Sequence, residues 1–256
     1  MTDCAVILAG GLGTRLGEIT ESIPKPMVKI GEKPILWHIM KNYSSFGVNE
    51  FIILAGYKSE MIKSYFVDFL FQNSNIMVET KTGKIRVLED DTDDWKVSII
   101  DTGQNVLTGT RIKRSEPFIE HQNFFLTYGD GLSNIDHGKV KNKMISGNGL
   151  ISLTAVNPPG RYGQIEIANG QVNSFHEKNS EIGHINGGFF AINIRLLSEM
   201  DSSDFSFETD FLPEVANSGN LDAHIHDGFW QSMDTPRDVK ILNDIWETGN
   251  APWKTW

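Results

Sequence analysis

The stretch AVILAGGLGTRLGEITESIPKPM, residues 5–27, opens on a short β-branched and apolar run that breaks into Gly10, Gly11 and Gly13. Such a run, closed by glycine, reads as a buried strand passing into a loop. Two phosphate-binding motifs come close to the loop, and spacing removes both. A dinucleotide fingerprint with Gly11 and Gly13 as its first two glycines requires a third at Leu16, and Gly17 arrives one residue late. A Walker loop opening at Gly10 requires Gly-Lys-Ser/Thr where Arg15, Leu16 and Gly17 stand. What is left is an anion cradle of another kind. Glycines free the backbone amides to turn inward, and Thr14 and Arg15 add a hydroxyl and a planar cation. Further on, Lys25 stands between Pro24 and Pro26, which restrict the backbone on both sides of its ammonium.

Three more strand-to-loop signals follow in the first half: EFIILAG, VSIIDT and NFFLTYGDG. In KPILWHIMKNYSSFG, Ile35, Leu36, Ile39, Met40 and Tyr43 recur at helical spacing and Gly47 supplies a stop. Strand, loop, helix and strand in that order predict an α/β fold, a mostly parallel sheet covered by helices with its site at the carboxyl ends of the strands. The chemistry is expected after Gly10 and after Tyr128. Later strand patterns in LISLTAV, GQIEIANGQVNSF (with a turn at Asn169-Gly170), INGGFFAINI and LDAHIHDGFW extend the sheet and add a smaller β-rich C-terminal part. A final helix is drawn from DTPRDVKILNDIWETG, with Asp234 or Thr235 as N-cap, Pro236 first in the helix and Gly249 as stop. Trp253 and Trp256 in the tail are expected against the body or a second subunit. The chain reads as one unit over 1–256, with a first half (1–130), a second half (131–234) and a C-terminal helix and tail (235–256).

Composition narrows the function classes. With 33 acidic against 23 basic side chains and a net charge of -10, nothing gathers Lys and Arg into a stripe for a polyanionic backbone, so nucleic acid is not an expected partner. Cys4 is the only cysteine, which forbids an intrachain disulfide and a cysteine zinc cluster and fits a reducing, cytoplasmic compartment. No apolar stretch reaches the roughly 18 residues of a membrane span, and MTDCAVILAGG lacks the basic region of a signal peptide.

The pairing of LAGGLGTRL with PKPM resembles the signature of the sugar-1-phosphate nucleotidylyltransferases. The resemblance continues through GEKPILWHIMKNYSSFG, GYKSEMIKSYF, VSIIDTG, TGTRIKR, LTYGDG, PPGRYG, INGGFF, GFWQSMDTPRD and APWKTW, nearly the whole chain. It implies a Rossmann-like three-layer domain of the nucleotide-diphospho-sugar transferase fold, with 1–130 as its nucleotide-binding half and 131–234 as its sugar-binding half. It further implies transfer of CMP from CTP to α-D-glucose 1-phosphate with Mg2+, in a homo-oligomer. On that resemblance Leu8, Ala9, Gly10, Gly11, Leu12, Gly13 and Thr14 cradle the triphosphate. Arg15 clamps the β- and γ-phosphates, Lys25 neutralises the α-phosphate, and Gly129 joins the nucleotide side. Arg111, with backbone groups near Val106 and Thr108, reads the cytosine. Glu177 and Lys178 take the sugar and its phosphate, joined by Asn186 and Gly187 on the sugar-binding strand. Asp130, between two glycines, and Asp234 hold the metal. One departure is Asn179, where the family has proline after Glu-Lys. His184 also falls close to the expected sugar pocket.

Nucleotidyl transfer needs no general base, because the attacking sugar phosphate is already an anion. Positive charge and alignment carry it, as a site of Arg15, Lys25, metal and amides without a triad would provide. Three other readings stand beside this one: transfer to another sugar phosphate or from another nucleotide, a catalytically silent sugar-nucleotide sensor, and a metal-dependent glycosyltransferase using Asp91 and Asp93 of EDDTDDW. The last leaves the glycine turn and PKPM without a role. His224 and His226 share a strand face without a carboxylate or cysteine at ligand spacing, which does not make a zinc site.

Overall fold

The computed structural model describes residues 3–90, 92–147, 149–157, 164–168, 171–176, 183–201 and 203–256, with 164–168 and 171–176 described as backbone. Seven strands form the central sheet: β1 (Cys4–Ala9), β2 (Glu50–Ala55), β3 (Lys96–Asp101), β4 (Asn123–Tyr128), β5 (Ile151–Val156), β6 (Ile185–Asn193) and β7 (Leu221–His226). Their spatial order is β7-β5-β6-β4-β1-β2-β3. Every neighbouring pair is parallel except the two made by β6, which runs antiparallel to both β4 and β5. The mostly parallel mixed sheet expected from the sequence is therefore present, and strands from both halves of the chain build it.

Alternation along β1 explains the layering. Ala5, Ile7 and Ala9 face one core, while Cys4, Val6 and Leu8 face the other. A strand buried on both faces reads as an unbroken apolar run, as AVIL does. The first core is closed by α1 (Ile35–Ser44), which buries Ile35, Leu36, Ile39, Met40 and Tyr43. The second is closed by α2 (Thr108–Arg114) through Ile112 and by the aromatic run Phe205, Phe207 and Phe211. Truncating one such core side chain to alanine costs about 2–5 kcal/mol.

Chain order makes β1 the switch point. β2 lies on one side of it and β4 on the other, so their loops diverge and leave a crevice at the carboxyl ends. The separate ribbon of Gln164–Ala168 with Gln171–His176 pairs as the sequence predicted, while its turn at Asn169-Gly170 lies outside the described residues. A second ribbon, Asn75–Glu79 with Lys84–Glu89, stands apart from the sheet.

After β4 the chain enters α3 (His137–Gly147), and the C-terminal helix is α4 (Pro236–Glu247). Of the two candidate caps, Thr235 is the one used. It accepts from the Asp238 amide and forms a reciprocal capping box, and the Asp234 side chain is turned elsewhere. Gly249, at φ +75°, closes the helix with its amide on Trp246 O at 3.0 Å. Trp253 is fully buried against the chain's own body, stacked on Trp246, and Trp256 meets Trp37 edge-on. The Trp253 indole donates to His38 Nδ1 at 3.4 Å, while His38 Nε2 lies 2.8 Å from Ile30 O. A carbonyl only accepts, so Nε2 carries the proton and the ring is neutral. No helix among the described residues is long and apolar enough to cross a membrane.

Candidate active site

Three strand ends meet at the glycine turn. The Tyr57 amide, following β2, donates to Gly10 O at 3.2 Å, and the Gly129 amide, following β4, donates to Leu8 O at 2.9 Å. Glycine is required at two places here for different reasons. Gly13 has φ +65°, and a Cβ on Gly10 would stand 2.2 Å from the Arg111 guanidinium. The loop then tightens into a short 3-10 turn, Thr14–Leu16, which leaves Arg15 on the outer rim with its side chain 73% exposed.

Lys25 rises from a second 3-10 turn, Lys25–Met27, whose Pro26 is buried and anchors it. Its ammonium donates to Asp130 Oδ2 at 2.5 Å and to Asp234 Oδ1 at 2.9 Å. Arg15 reaches the same Asp234 oxygen at 2.8 Å. The two carboxylates are brought together by a short antiparallel ribbon, Gly131–Ser133 against Trp230–Ser232, continued by the Met233 amide on Asp130 O at 2.8 Å. Burial disfavours the Lys25 ammonium, but the charges and hydrogen bonds of Asp130 and Asp234 outweigh it and raise its pKa. Burial works against the Asp234 carboxylate too, and Lys25, Ser232 and Arg15 more than offset it, holding it below the usual carboxylate range. Both groups are therefore charged at neutral pH, as electrostatic catalysis requires.

Two cavities adjoin at this cluster. The larger, of about 750 Å3, is lined by Leu8 through Arg15, Lys25, Val106, Thr108, Arg111 and Gly129, so it gathers every residue assigned to the nucleotide from sequence. The smaller, of about 300 Å3, is lined by Asn186, Gly187 and Asp234, among others. Arg15 and Asp130 border both. Glu177, Lys178 and Asn179 lie outside the described residues, and His184 is exposed and borders neither cavity.

Arg111 is spent differently from a free base-reading side chain. Only 4% exposed, its guanidinium donates to Thr102 Oγ1 at 2.6 Å, Gly103 O at 2.7 Å and Gln104 O at 3.0 Å. It thereby fixes the loop whose Gln104, Asn105 and Val106 wall the larger cavity, which Arg111 itself also lines.

Sequence reasoning missed Tyr128, Glu208 and Trp230. Tyr128 and Glu208 border both cavities, and the Trp230 indole donates to Gly187 O at 2.7 Å. The motif LTYGDG contains Tyr128 and was a usable signal; Glu208, in FSFETDF, sits in no motif. Of the acidic pair in EDDTDDW, Asp91 lies outside the described residues and Asp93 is paired with Lys41 at 2.6 Å, beside a different apolar groove. His226 is hydrogen-bonded to Phe229 O at 3.2 Å.

Comparison with known proteins agrees with this geometry. The family described as Nucleotidyl transferase matches residues 4–248. A glucose-1-phosphate cytidylyltransferase of Salmonella typhimurium is 45% identical over 254 residues, covering 98% of this chain and 99% of that one. A probable glucose-1-phosphate cytidylyltransferase of Bacillus subtilis is 38% identical over 253 residues, with 98% and 99% covered. Among solved structures, HddC from Yersinia pseudotuberculosis superposes with a TM-score of 0.69 at 29% identity over 96% of this chain and all of that one. A UDP-glucose pyrophosphorylase from Acinetobacter baumanii superposes with a TM-score of 0.71 at 14% identity, covering 99% and 96%, a likeness of fold alone.

Proposed function

The chain belongs to the nucleotidyl transferase family, and from that premise we propose that it transfers CMP from CTP to α-D-glucose 1-phosphate, giving CDP-glucose and pyrophosphate. The observation that carries the reading is the cluster of Lys25, Asp130, Asp234 and Arg15 where the two cavities adjoin, in a chain aligned end to end with glucose-1-phosphate cytidylyltransferases. A phosphate oxygen of the sugar attacks the α-phosphorus of CTP, the bond from that phosphorus to the α,β-bridging oxygen breaks, and pyrophosphate leaves with the electron pair. No proton has to be removed from the attacking group.

In this reading the triphosphate lies along Leu8–Thr14 with Arg15 on its outer phosphates, and Lys25 meets the α-phosphate as charge builds there. Cytosine faces Val106, Thr108 and the edge of Arg111. The hexose occupies the smaller cavity along Asn186 and Gly187, with Glu177 and Lys178 as its further partners. Asp130 and Asp234 would hold Mg2+. The fit rests on their present arrangement, in which an ammonium already stands between two carboxylates, as a hard cation with oxygen ligands would. When bound, Mg2+ offsets the charge of the triphosphate and of the leaving pyrophosphate. Ile76, Met77, Val78, Ile85 and Leu88, exposed on the Asn75–Glu89 ribbon, support a homo-oligomer, and the single buried Cys4 supports a reducing cytoplasm.

The test is a matrix of nucleoside triphosphates against sugar 1-phosphates, read by pyrophosphate release with Mg2+. The highest kcat/KM is expected for CTP with glucose 1-phosphate. Preference for another base or sugar moves the assignment within the family, and no pyrophosphate from any pair removes the transferase reading.

A further inference from the structure

Glu208 lies at the junction of the two cavities and borders both. It stands in the π-helical turn Phe207–Phe211, a conformation uncommon enough to mark a placed side chain. Its Oε1 accepts from the Tyr128 hydroxyl at 2.6 Å, and its Oε2 accepts from Thr108 Oγ1 at 2.5 Å and Ser206 Oγ at 3.1 Å. Three donors on one carboxylate fix its position from three parts of the chain. At the far end of the chain of bonds the Phe207 amide donates to Thr108 Oγ1 at 3.0 Å. Thr108 lines the larger cavity and Tyr128 the smaller, where Asn186 stands beside it, so the bonds from Thr108 and Tyr128 to Glu208 join the two walls.

We propose that Glu208 is a positioning residue that couples the two substrate pockets, so that occupation of one sets Tyr128, or Thr108, for occupation of the other. This rests on the reading of the larger cavity as the nucleotide site and the smaller as the sugar-phosphate site. The physical reason is convergence: every donor in the relay points toward the carboxylate, so a shift at Thr108 changes which bond Glu208 makes with Tyr128. Coupling of this kind is reciprocal, each substrate tightening the other by the same factor.

The experiment uses α,β-methylene CTP, which cannot be cleaved at the reacting bond, with Mg2+. Its Kd is measured by calorimetry with and without saturating glucose 1-phosphate, in wild type, Glu208→Gln and Tyr128→Phe. Wild type is expected to bind the analogue about fivefold or more tightly when glucose 1-phosphate is present. Each variant is expected to bring that ratio to about one while keeping the binary Kd within a few-fold, a pattern that mere loss of structure would not give. Tyr128→Phe keeps the ring and removes only the phenolic donor, so it reads the link even where Glu208→Gln does not fold. A wild-type ratio near one, or a ratio unchanged in either folded variant, overturns the proposal. Pyrophosphate release by wild type from CTP and glucose 1-phosphate, run in parallel, separates this failure from failure of the substrate assignment.

Discussion

Lys25 donates to Asp130 across 2.5 Å, and its second short contact, 2.9 Å to Asp234, makes one ammonium the link between two carboxylates. Lysine's raised pKa keeps it charged, so in the proposed transfer it would serve neutralisation rather than proton transfer. Lys25→Met is expected to lower pyrophosphate release by about 100-fold or more, the scale of losing one preorganised charge contact. It also leaves two part-buried carboxylates facing each other. The variant should therefore melt lower than wild type and regain more stability on adding Mg2+. Thermal melts with and without Mg2+ read this; an equal shift in both proteins would show that Lys25 does not stand in for the cation.

Asp234 and Thr235 are neighbours with separable work. Thr235 caps α4, whereas the Asp234 side chain faces Lys25 and Arg15. Thr235→Ala should cost about 1 kcal/mol of stability and leave kcat within a few-fold. Asp234→Asn should instead lower turnover by orders of magnitude, with a fall in melting temperature from the lost partner of Lys25 and Arg15, and Asp130→Asn should likewise lose turnover. Loss of activity in Thr235→Ala equal to that in Asp234→Asn would mean the cap, not the carboxylate, is what the site needs.

These two residues also mark where sequence reading stops. The strand at AVILAG, the helix through Tyr43 and the final helix were legible because apolar period, glycine stops and Pro236 are local signals. The choice of cap was not, because Asp234 and Thr235 are both good caps and only the long-range pull of Lys25 separates them. Glu208 escaped for a related reason: its importance comes from Tyr128 and Thr108, each distant in sequence, and a lone glutamate in FSFETDF carries no periodic or motif signal. Arg111 was legible as a residue of the pocket, but its hydrogen bonds to loop carbonyls required the fold.

Those carbonyls give a third expectation. Arg111 serves acceptors on Thr102, Gly103 and Gln104 with a planar, forked group that a lysine cannot reproduce. Arg111→Lys should leave at least one buried acceptor unpaired, costing about 1–3 kcal/mol, and loosen the wall beside Val106. KM for CTP should rise about tenfold while KM for glucose 1-phosphate moves little. Steady-state kinetics against each substrate decide it, and a parallel rise in both constants would mean that the damage is general rather than confined to the nucleotide wall.

Two buried histidines make the fold, rather than the chemistry, acid-sensitive. His137 is enclosed against Tyr43 at a ring separation of 3.8 Å and lies 2.8 Å from Asn42 Oδ1, and His38 sits among the C-terminal tryptophans. Burial lowers His38 from 6.5 to about 4; burial, and then the charge of His226, lowers His137 from 6.5 to about 3. Between those values and 6.5 the unfolded chain binds protons that the folded chain excludes, so stability falls as pH falls. The contribution is complete above pH 6.5 and is lost progressively toward pH 4 and then pH 3. Melting temperature should be flat from pH 8 to about 6.5 and decline below it. His137→Gln keeps a polar partner for Asn42 without a titrating ring. It should melt lower than wild type at pH 7.5 because it gives up the stacking on Tyr43, yet show a shallower decline toward pH 5. An unchanged slope in that variant would place the acid sensitivity elsewhere, in the Asp234 carboxylate that Lys25 and Arg15 hold ionised.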